Sequence, residues 1–168
     1  MKRITVVSDT HDNLEAINLF VEHMKKEKVD AVIHAGDIVS PFSLRMFKGL
    51  KLYAVYGNND GEKILLKKTA DELGIVLEEQ PLLIESGPYS ILVIHGSDGM
   101  EKTQRFTRAL AKSGEFRLVV YGHTHQVDVQ HFGETLLLNP GTLSGYLAGK
   151  RTYAIVDLET LQADIIEL

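Results

Sequence analysis

The chain has 168 residues, 44% of them hydrophobic and 24% charged, with a formal net charge of −5 and no cysteine. That length suits one domain, residues 1–168, with a buried core of its own. The negative balance argues against general nucleic-acid binding, which calls for a basic face, and the lack of cysteine excludes disulfides, thiolate metal sites and cysteine nucleophiles.

Met1-Lys2-Arg3 could open a signal peptide, but the apolar run behind it stops at Ser8-Asp9, too short for an h-region. No stretch approaches the roughly 18 apolar residues of a membrane span. The expectation is a soluble, cytoplasmic protein with no membrane partner. Ile4-Thr5-Val6-Val7 is a short β-branched run of the kind that forms strands buried on both faces. It leads into Ser8-Asp9-Thr10-His11. Leu14, Ile17, Phe20 or Val21, and Met24 then recur at helical spacing, with Asp12 or Asn13 as the cap. Lys25, Lys26 and Lys28 read as the solvated end of that helix, where positive charge suits the macrodipole.

A second strand, Ala31 to His34, runs into Ala35-Gly36-Asp37, and Pro41 opens a short helix through Leu44 and Phe47. A third strand, Leu52 to Tyr56, leads to Gly57-Asn58-Asn59-Asp60. A helix from about Glu62 to Leu73 carries Ile64, Leu65, Ala70 and Leu73 and stops at Gly74. Ile91 to Ile94 runs into His95-Gly96, a helix follows from about Glu101 to Ala111, and Leu118 to Tyr121 runs into Gly122-His123-Thr124-His125. The rhythm then changes. Val127 to His131 and Thr135 to Leu138 read as a hairpin about Gly133, Asn139-Pro140-Gly141 as a turn, and Tyr153 to Val156 and Ala163 to Ile166 as two closing antiparallel strands. Alternating strand and helix followed by antiparallel strands is an α/β pattern, with one mixed sheet or two packed sheets and helices outside.

Five apolar strands thus end in residues that bind metals. In open α/β sheets, ligands collect at the carboxyl ends of the strands. The inventory is two carboxylates (Asp9, Asp37), one amide (Asn58) and four imidazoles (His11, His95, His123, His125). That is too many for one four-coordinate ion but suits two ions of higher coordination sharing a carboxylate. Such a pair, roughly 3.5–4 Å apart, clamps a phosphoryl group and lowers the pKa of bound water.

In order, D-x-H, G-D, G-N-x-D, H-G and G-H-T-H resemble the calcineurin-like metallophosphoesterase superfamily from Arg3 to about Ser144. The small size and Asn139-Pro140-Gly141-Thr142 are similar to the compact YfcE-like phosphodiesterases. The resemblance implies a four-layer αββα sandwich of two mixed β-sheets flanked by helices, and a dinuclear phosphodiesterase in which a metal-bridging hydroxide attacks phosphorus in line. By position, Asp9, His11 and His125 would hold one ion, Asn58, His95 and His123 the other, with Asp37 between them. Asp37, Asn58, His95 and His123 would be the catalytic set, Asn58 also touching a phosphate oxygen. Mn²⁺ is the first expectation among ions that include Ni²⁺, Fe²⁺, Co²⁺ and Zn²⁺. The substrate would be a small-molecule phosphate ester, and similar small phosphodiesterases suggest a homodimer.

One departure stands out. Many larger members have histidine where this chain has Asn59, so the resemblance implies catalysis that relies on the metals and on a good leaving group, with Asp60 at most orienting a ligand. Asp60 and Asp98 otherwise read as turn or cap residues. His23 and His131 read as ordinary surface histidines, Tyr56 and Tyr121 as packing, and His34 as either a core residue or a partner that orients a ligand. Ser97, Thr124, Thr142 and Ser144, with the loops around Pro41-Phe42, Ser97–Met100 and Thr142–Tyr146, are candidates to line the cleft. Two competing readings are a scaffold of the same fold, like the retromer subunit, which has lost ligands, and a nuclease. The complete set of seven donors argues against the first, and the acidic balance against the second.

Overall fold

The computed structural model describes residues 1–168. Parallel β1 (Arg3–Val7), β2 (Ala31–His34), β3 (Leu52–Val55) and β4 (Val76–Glu78) lie side by side in one sheet. Antiparallel β10 (Thr152–Asp157) and β11 (Gln162–Glu167) complete it, in the order β11-β10-β1-β2-β3-β4. The second sheet, in the order β5-β6-β7-β9-β8, comprises β5 (Leu82–Ser86), β6 (Tyr89–Ile94), β7 (Leu118–Tyr121), β8 (Val127–Phe132) and β9 (Thr135–Pro140). Here β6, β7 and β9 are parallel, and β5 and β8 are antiparallel edges.

Strand alternation assigns the layers. Ile4, Val6, Ile33 and Val55 of the first sheet pack against Ile91, Val93, Val120 and Leu138 of the second, forming the core between the sheets. The opposite pleat of the first sheet, with Val7, Val32 and Ala54, packs on α1 (Leu14–Met24), α2 (Pro41–Arg45) and α3 (Lys63–Leu73) through Ile17, Phe20, Leu44 and Leu66. The outer pleat of the second sheet, with Leu92, Ile94, Val119 and Tyr121, packs on α4 (Met100–Lys112) through Ala111. The result is a four-layer αββα sandwich of two mixed sheets. Central strands are covered on both faces, which is why β2 and β7 are buried at every residue and read as continuous apolar runs. Each fully buried Ile or Leu contributes about 1.5–3 kcal/mol relative to exposure.

Asn13 is the cap of α1, its side chain accepting from the Ala16 N–H at 3.1 Å. Asp12 instead gathers Ser40 and Ser43, whose hydroxyls donate to its Oδ1. Gly74 ends α3 with φ +69°. Four features differ from the sequence reading. Strands β4 and β5 are additional; both are edge strands with partly exposed faces, so they leave no buried apolar run. Helix α2 stops at Arg45, and Phe47 reaches the core from the turn that follows. Strand β3 ends at Val55, one residue before Tyr56. Asn139 and Pro140 close β9 rather than forming a turn, paired with Asp128 and Val127. No helix is long and apolar enough to cross a membrane.

Candidate metal centre

The loops that leave β1, β2, β3, β6 and β7 meet at one edge of the sandwich. Backbone bonds stitch them together: Asp9 N donates to Gly36 O at 3.0 Å, His11 N to Asp37 O at 3.0 Å, and Gly122 N to His95 O at 3.1 Å. Asp9, His11, Asp37, His123 and His125 all adopt positive φ, between 41° and 68°. Non-glycine residues rarely do so, and such strain gathers where the surroundings over-determine the chain. Two glycines permit the close approach. A Cβ at Gly57 would strike the Asp37 carboxylate, and one at Gly122 would strike Ser8 Oγ.

The seven side chains named from the sequence converge here. His11 Nε2 lies 3.7 Å from Asp9 Oδ1, 3.5 Å from Asp37 Oδ2 and 3.2 Å from His125 Nε2. His125 Nε2 is 3.2 Å from Asp9 Oδ1, and His95 Nε2 is 3.4 Å from Asp37 Oδ1. Asn58 Oδ1 stands 2.9 Å from His95 Nε2 and 2.8 Å from His123 Nδ1, so His123 meets the cluster through Asn58 and its own backbone N, which donates to Asp9 Oδ2 at 3.1 Å. Asp37 lies between His11 and His95. Asp9 is also central, close to both His11–His125 and Asp37–His95.

The donor set suits a cation. His125 Nδ1 donates to the Tyr146 carbonyl at 2.9 Å and His95 Nδ1 to the Ala35 carbonyl at 2.7 Å. Those bonds fix the tautomers and leave the Nε2 lone pairs facing inward, as histidines that bind metals are held. There they meet carboxylate and amide oxygens, which are also acceptors. Asp9 Oδ1 is buried with no hydrogen-bond partner. Acceptors facing acceptors in a buried cluster require positive charge, and mixed carboxylate, amide and imidazole donors suit Mn²⁺, Fe²⁺, Co²⁺, Ni²⁺ or Zn²⁺.

Protons respond to the same field. Burial pushes the Asp9 carboxyl up, but the His11 and His125 imidazoles beside it outweigh burial and hold the group well below the usual carboxylate range. Burial likewise lowers His95, but the neighbouring Asp37 and the charge of Asp9 raise it on balance, and contact with Asp9 raises His125. His123, facing the other imidazoles, is lowered by burial and by His95.

Several further residues hold the ligand loops in place. Asp60 accepts from the backbone N–H groups of Gly57 at 2.6 Å, Val39 at 2.6 Å and Asp37 at 3.1 Å, tying two ligand loops together. It is more than a turn residue, and burial raises its carboxyl pKa. Gln80 accepts from His95 N and Gly96 N through Oε1 and donates to Gly96 O through Nε2. Asn139 donates to Gly122 O and Thr124 Oγ1, holding the His123–His125 loop. His34 is fully buried, and burial drives its pKa down to about 3. The neutral ring accepts from Gly36 N at 3.1 Å through Nδ1, so Nε2 donates to Thr10 Oγ1 at 3.1 Å. His34 therefore supports the Asp37 loop. Asp60 and His34 thus take the orienting role that the sequence reading allowed them, whereas Gln80 left no signal, since a lone Gln before a turn is common in loops.

The remaining candidates lie elsewhere or are engaged. Thr142 Oγ1 donates to Asp9 O, Thr124 Oγ1 accepts from Asn139, and the Ser97 backbone pairs with Thr103. His23 meets the Tyr153 hydroxyl and His131 lies in β8, both apart from the cluster. Tyr121 is core, donating to Asp128 at 2.6 Å.

Two packed mixed sheets with a carboxylate–imidazole cluster at their shared edge define a metallophosphoesterase of the calcineurin-like class. Residues 1–161 match the Calcineurin-like phosphoesterase superfamily domain, and the chain belongs to that superfamily. It is 36% identical over 162 residues to Phosphodiesterase MJ0936 of Methanocaldococcus jannaschii, covering 94% of this chain and 93% of that one. A solved structure of an archaeal phosphodiesterase superposes with a TM-score of 0.89 at 34% identity, covering 99% of both chains. The phosphoesterase YfcE of E. coli shares the fold, with a TM-score of 0.69 at 18% identity over 98% of each chain.

Proposed function

We propose that this protein is a phosphodiesterase that holds two divalent ions. Asp9, His11 and His125 would surround one ion, Asn58, His95 and His123 the other, with Asp37 between them. The observation that carries the reading is the convergence of acceptors: His125 and His95 turn their Nε2 atoms toward the Asp9 and Asp37 carboxylates, and Asp9 Oδ1 is buried without a hydrogen-bond partner. Bound divalent ions would supply charge to a phosphoryl group and lower the pKa of water. A scaffold that used only its outer surface would have no chemical need for this set.

The chain's own groups do the rest. The Tyr146 and Ala35 carbonyls hold His125 and His95 in the ligating tautomer. Asn58 offers a neutral amide to a phosphate oxygen, adding no anion to an anionic substrate. Asn59 has no ionisable proton, and its amide donates to Asp37 Oδ2 at 2.7 Å. Position 59 therefore supplies no acid to the leaving oxygen, which favours substrates with acidic leaving groups such as phenols. Mn²⁺ is the working ion of this reading.

Chelator-stripped protein tested on an aryl phosphodiester and its monoester, with each divalent metal added back, checks it. Hydrolysis restored by metal and lost in Asp37→Ala and His123→Ala is expected. Metal-loaded protein that cleaves neither ester sinks the reading.

A further inference from the structure

We propose that the cleft flanking His125 seats the second, non-reacting ester substituent of a phosphodiester and selects apolar or aromatic groups there. This deepens the phosphodiesterase reading and rests on it. The cleft has a volume of about 600 Å³, the size of a small-molecule site. His125 lines it together with the apolar Met100, Val127 and Leu147, and Lys150 and Gln126 complete the rim. These three apolar side chains stand exposed around one hollow, where scattered single residues would need no explanation.

The loop from Gly145 to Gly149 is built for this place. Leu147 has φ +63° and is 84% exposed, so it bears both backbone strain and an unburied aliphatic side chain. A glycine would relieve both. The loop closes on itself through Gly149 N donating to Gly145 O at 3.0 Å, so the conformation is held from within. Tyr146 ties the loop to the centre. Its carbonyl accepts from His125, and the residue is 64% exposed with its ring 6.2 Å from the His11 ring. In the proposed pose a phosphate at the cluster extends its second substituent from His125, which both the cluster and the cleft share, toward Leu147. A monoester has nothing to place there, which makes the cleft a device for choosing diesters.

A second hollow, about 490 Å³ between α4 and β6, is lined by Phe106 and Phe116 and includes none of the seven candidate ligands. It serves as the internal control.

The test compares phenyl 4-nitrophenyl phosphate with methyl 4-nitrophenyl phosphate. Both release the same phenolate, so only the spectator group differs. Manganese-loaded wild type is expected to favour the phenyl diester by about tenfold or more, carried by KM rather than kcat. Leu147→Gly, which keeps the left-handed backbone, and Met100→Ala should each bring the preference close to unity, and Phe106→Ala should keep it. Calorimetric binding of phenylphosphonate and methylphosphonate, neither of which is cleaved, gives a second readout that does not depend on turnover. Equal KM values for the two diesters in wild type, or an unchanged preference in Leu147→Gly and Met100→Ala, overturn the proposal and leave the hydrolase reading standing. Phenylphosphonate affinity that depends on Leu147, in protein that cleaves no diester, supports the cleft and removes the hydrolase reading.

Discussion

Asn59 grips Asp37 with two hydrogen bonds, one from its backbone N to Oδ1 at 2.8 Å and one from Nδ2 to Oδ2 at 2.7 Å. The residue in the position of an acid is thus engaged in orienting the carboxylate at the middle of the cluster. It supplies no proton.

A leaving-group series tests this. Asn59→His should speed cleavage of alkyl phosphodiesters more than aryl ones, because general acid catalysis contributes about 10²–10⁴-fold only where the leaving oxygen needs a proton. Losing the Nδ2 bond to Asp37 should slow both series alike. A steeper dependence on leaving-group pKa in wild type than in the variant is the expected outcome. Parallel plots would show that position 59 carries no such role.

Metal binding should appear as stability. An ion that binds only the folded cluster, at about 100 times its Kd, adds about 2.7 kcal/mol, or about 5–10 °C in Tm for a chain of this size. Differential scanning of chelator-treated protein, with and without Mn²⁺, should show that rise in wild type. It should be absent or much reduced in His125→Ala and Asp37→Ala. An equal rise in all three would place the ion elsewhere.

Asp60→Ala should destabilise the fold by at least about 3 kcal/mol, because it strands the buried N–H groups of Gly57 and Asp37 and the half-buried one of Val39 at about 1–3 kcal/mol each. Asp60→Asn keeps an acceptor and should cost less. Urea unfolding of the three proteins in chelator measures this. A loss below about 1 kcal/mol for the alanine variant would mean that water replaces the carboxylate.

His34 should make the protein sensitive to acid. Burial depresses its folded pKa to about 3 from the ordinary 6.5. Above pH 6.5 neither state holds the proton, and the neutral ring contributes its full share. As pH falls below 6.5 the unfolded chain takes a proton that the native chain refuses, so stability falls by up to about 1.4 kcal/mol per pH unit until the folded ring itself titrates near pH 3. Unfolding free energies in chelator at pH 7 and pH 5 should therefore differ more for wild type than for His34→Gln. Identical pH slopes would show that His34 titrates normally in the folded state.

The central strands were legible because burial on both faces demands uninterrupted apolar residues, as in Ala31-Val32-Ile33 and Leu118-Val119-Val120. The edge strands β4 and β5 were not, since Val76, Glu78 and Leu83 face solvent and break the run. Nor was the end of β9, where the turn-forming pair Asn139-Pro140 is held in a strand by pairing with β8 and by the buried bonds of the Asn139 side chain.

The same division runs through the centre. Asp9, His11, Asp37, Asn58, His95, His123 and His125 could be named from the sequence because each follows a strand that the apolar pattern already marks, and parallel strands deliver their ends to one edge. The sequence by itself therefore determined the layered α/β class and the chemical inventory at that edge. Tertiary structure alone decided that Asp9 is as central as Asp37, that His34 braces a loop, that Asp60 and Gln80 hold the ligand loops in place, and that Leu147 overhangs a cleft beside His125. The physical reason is that burial imprints a period along the chain. A hydrogen bond from one side chain to a distant backbone N–H, or a hollow shared by Met100, Val127 and Leu147, depends on residues that meet only when the sheets close.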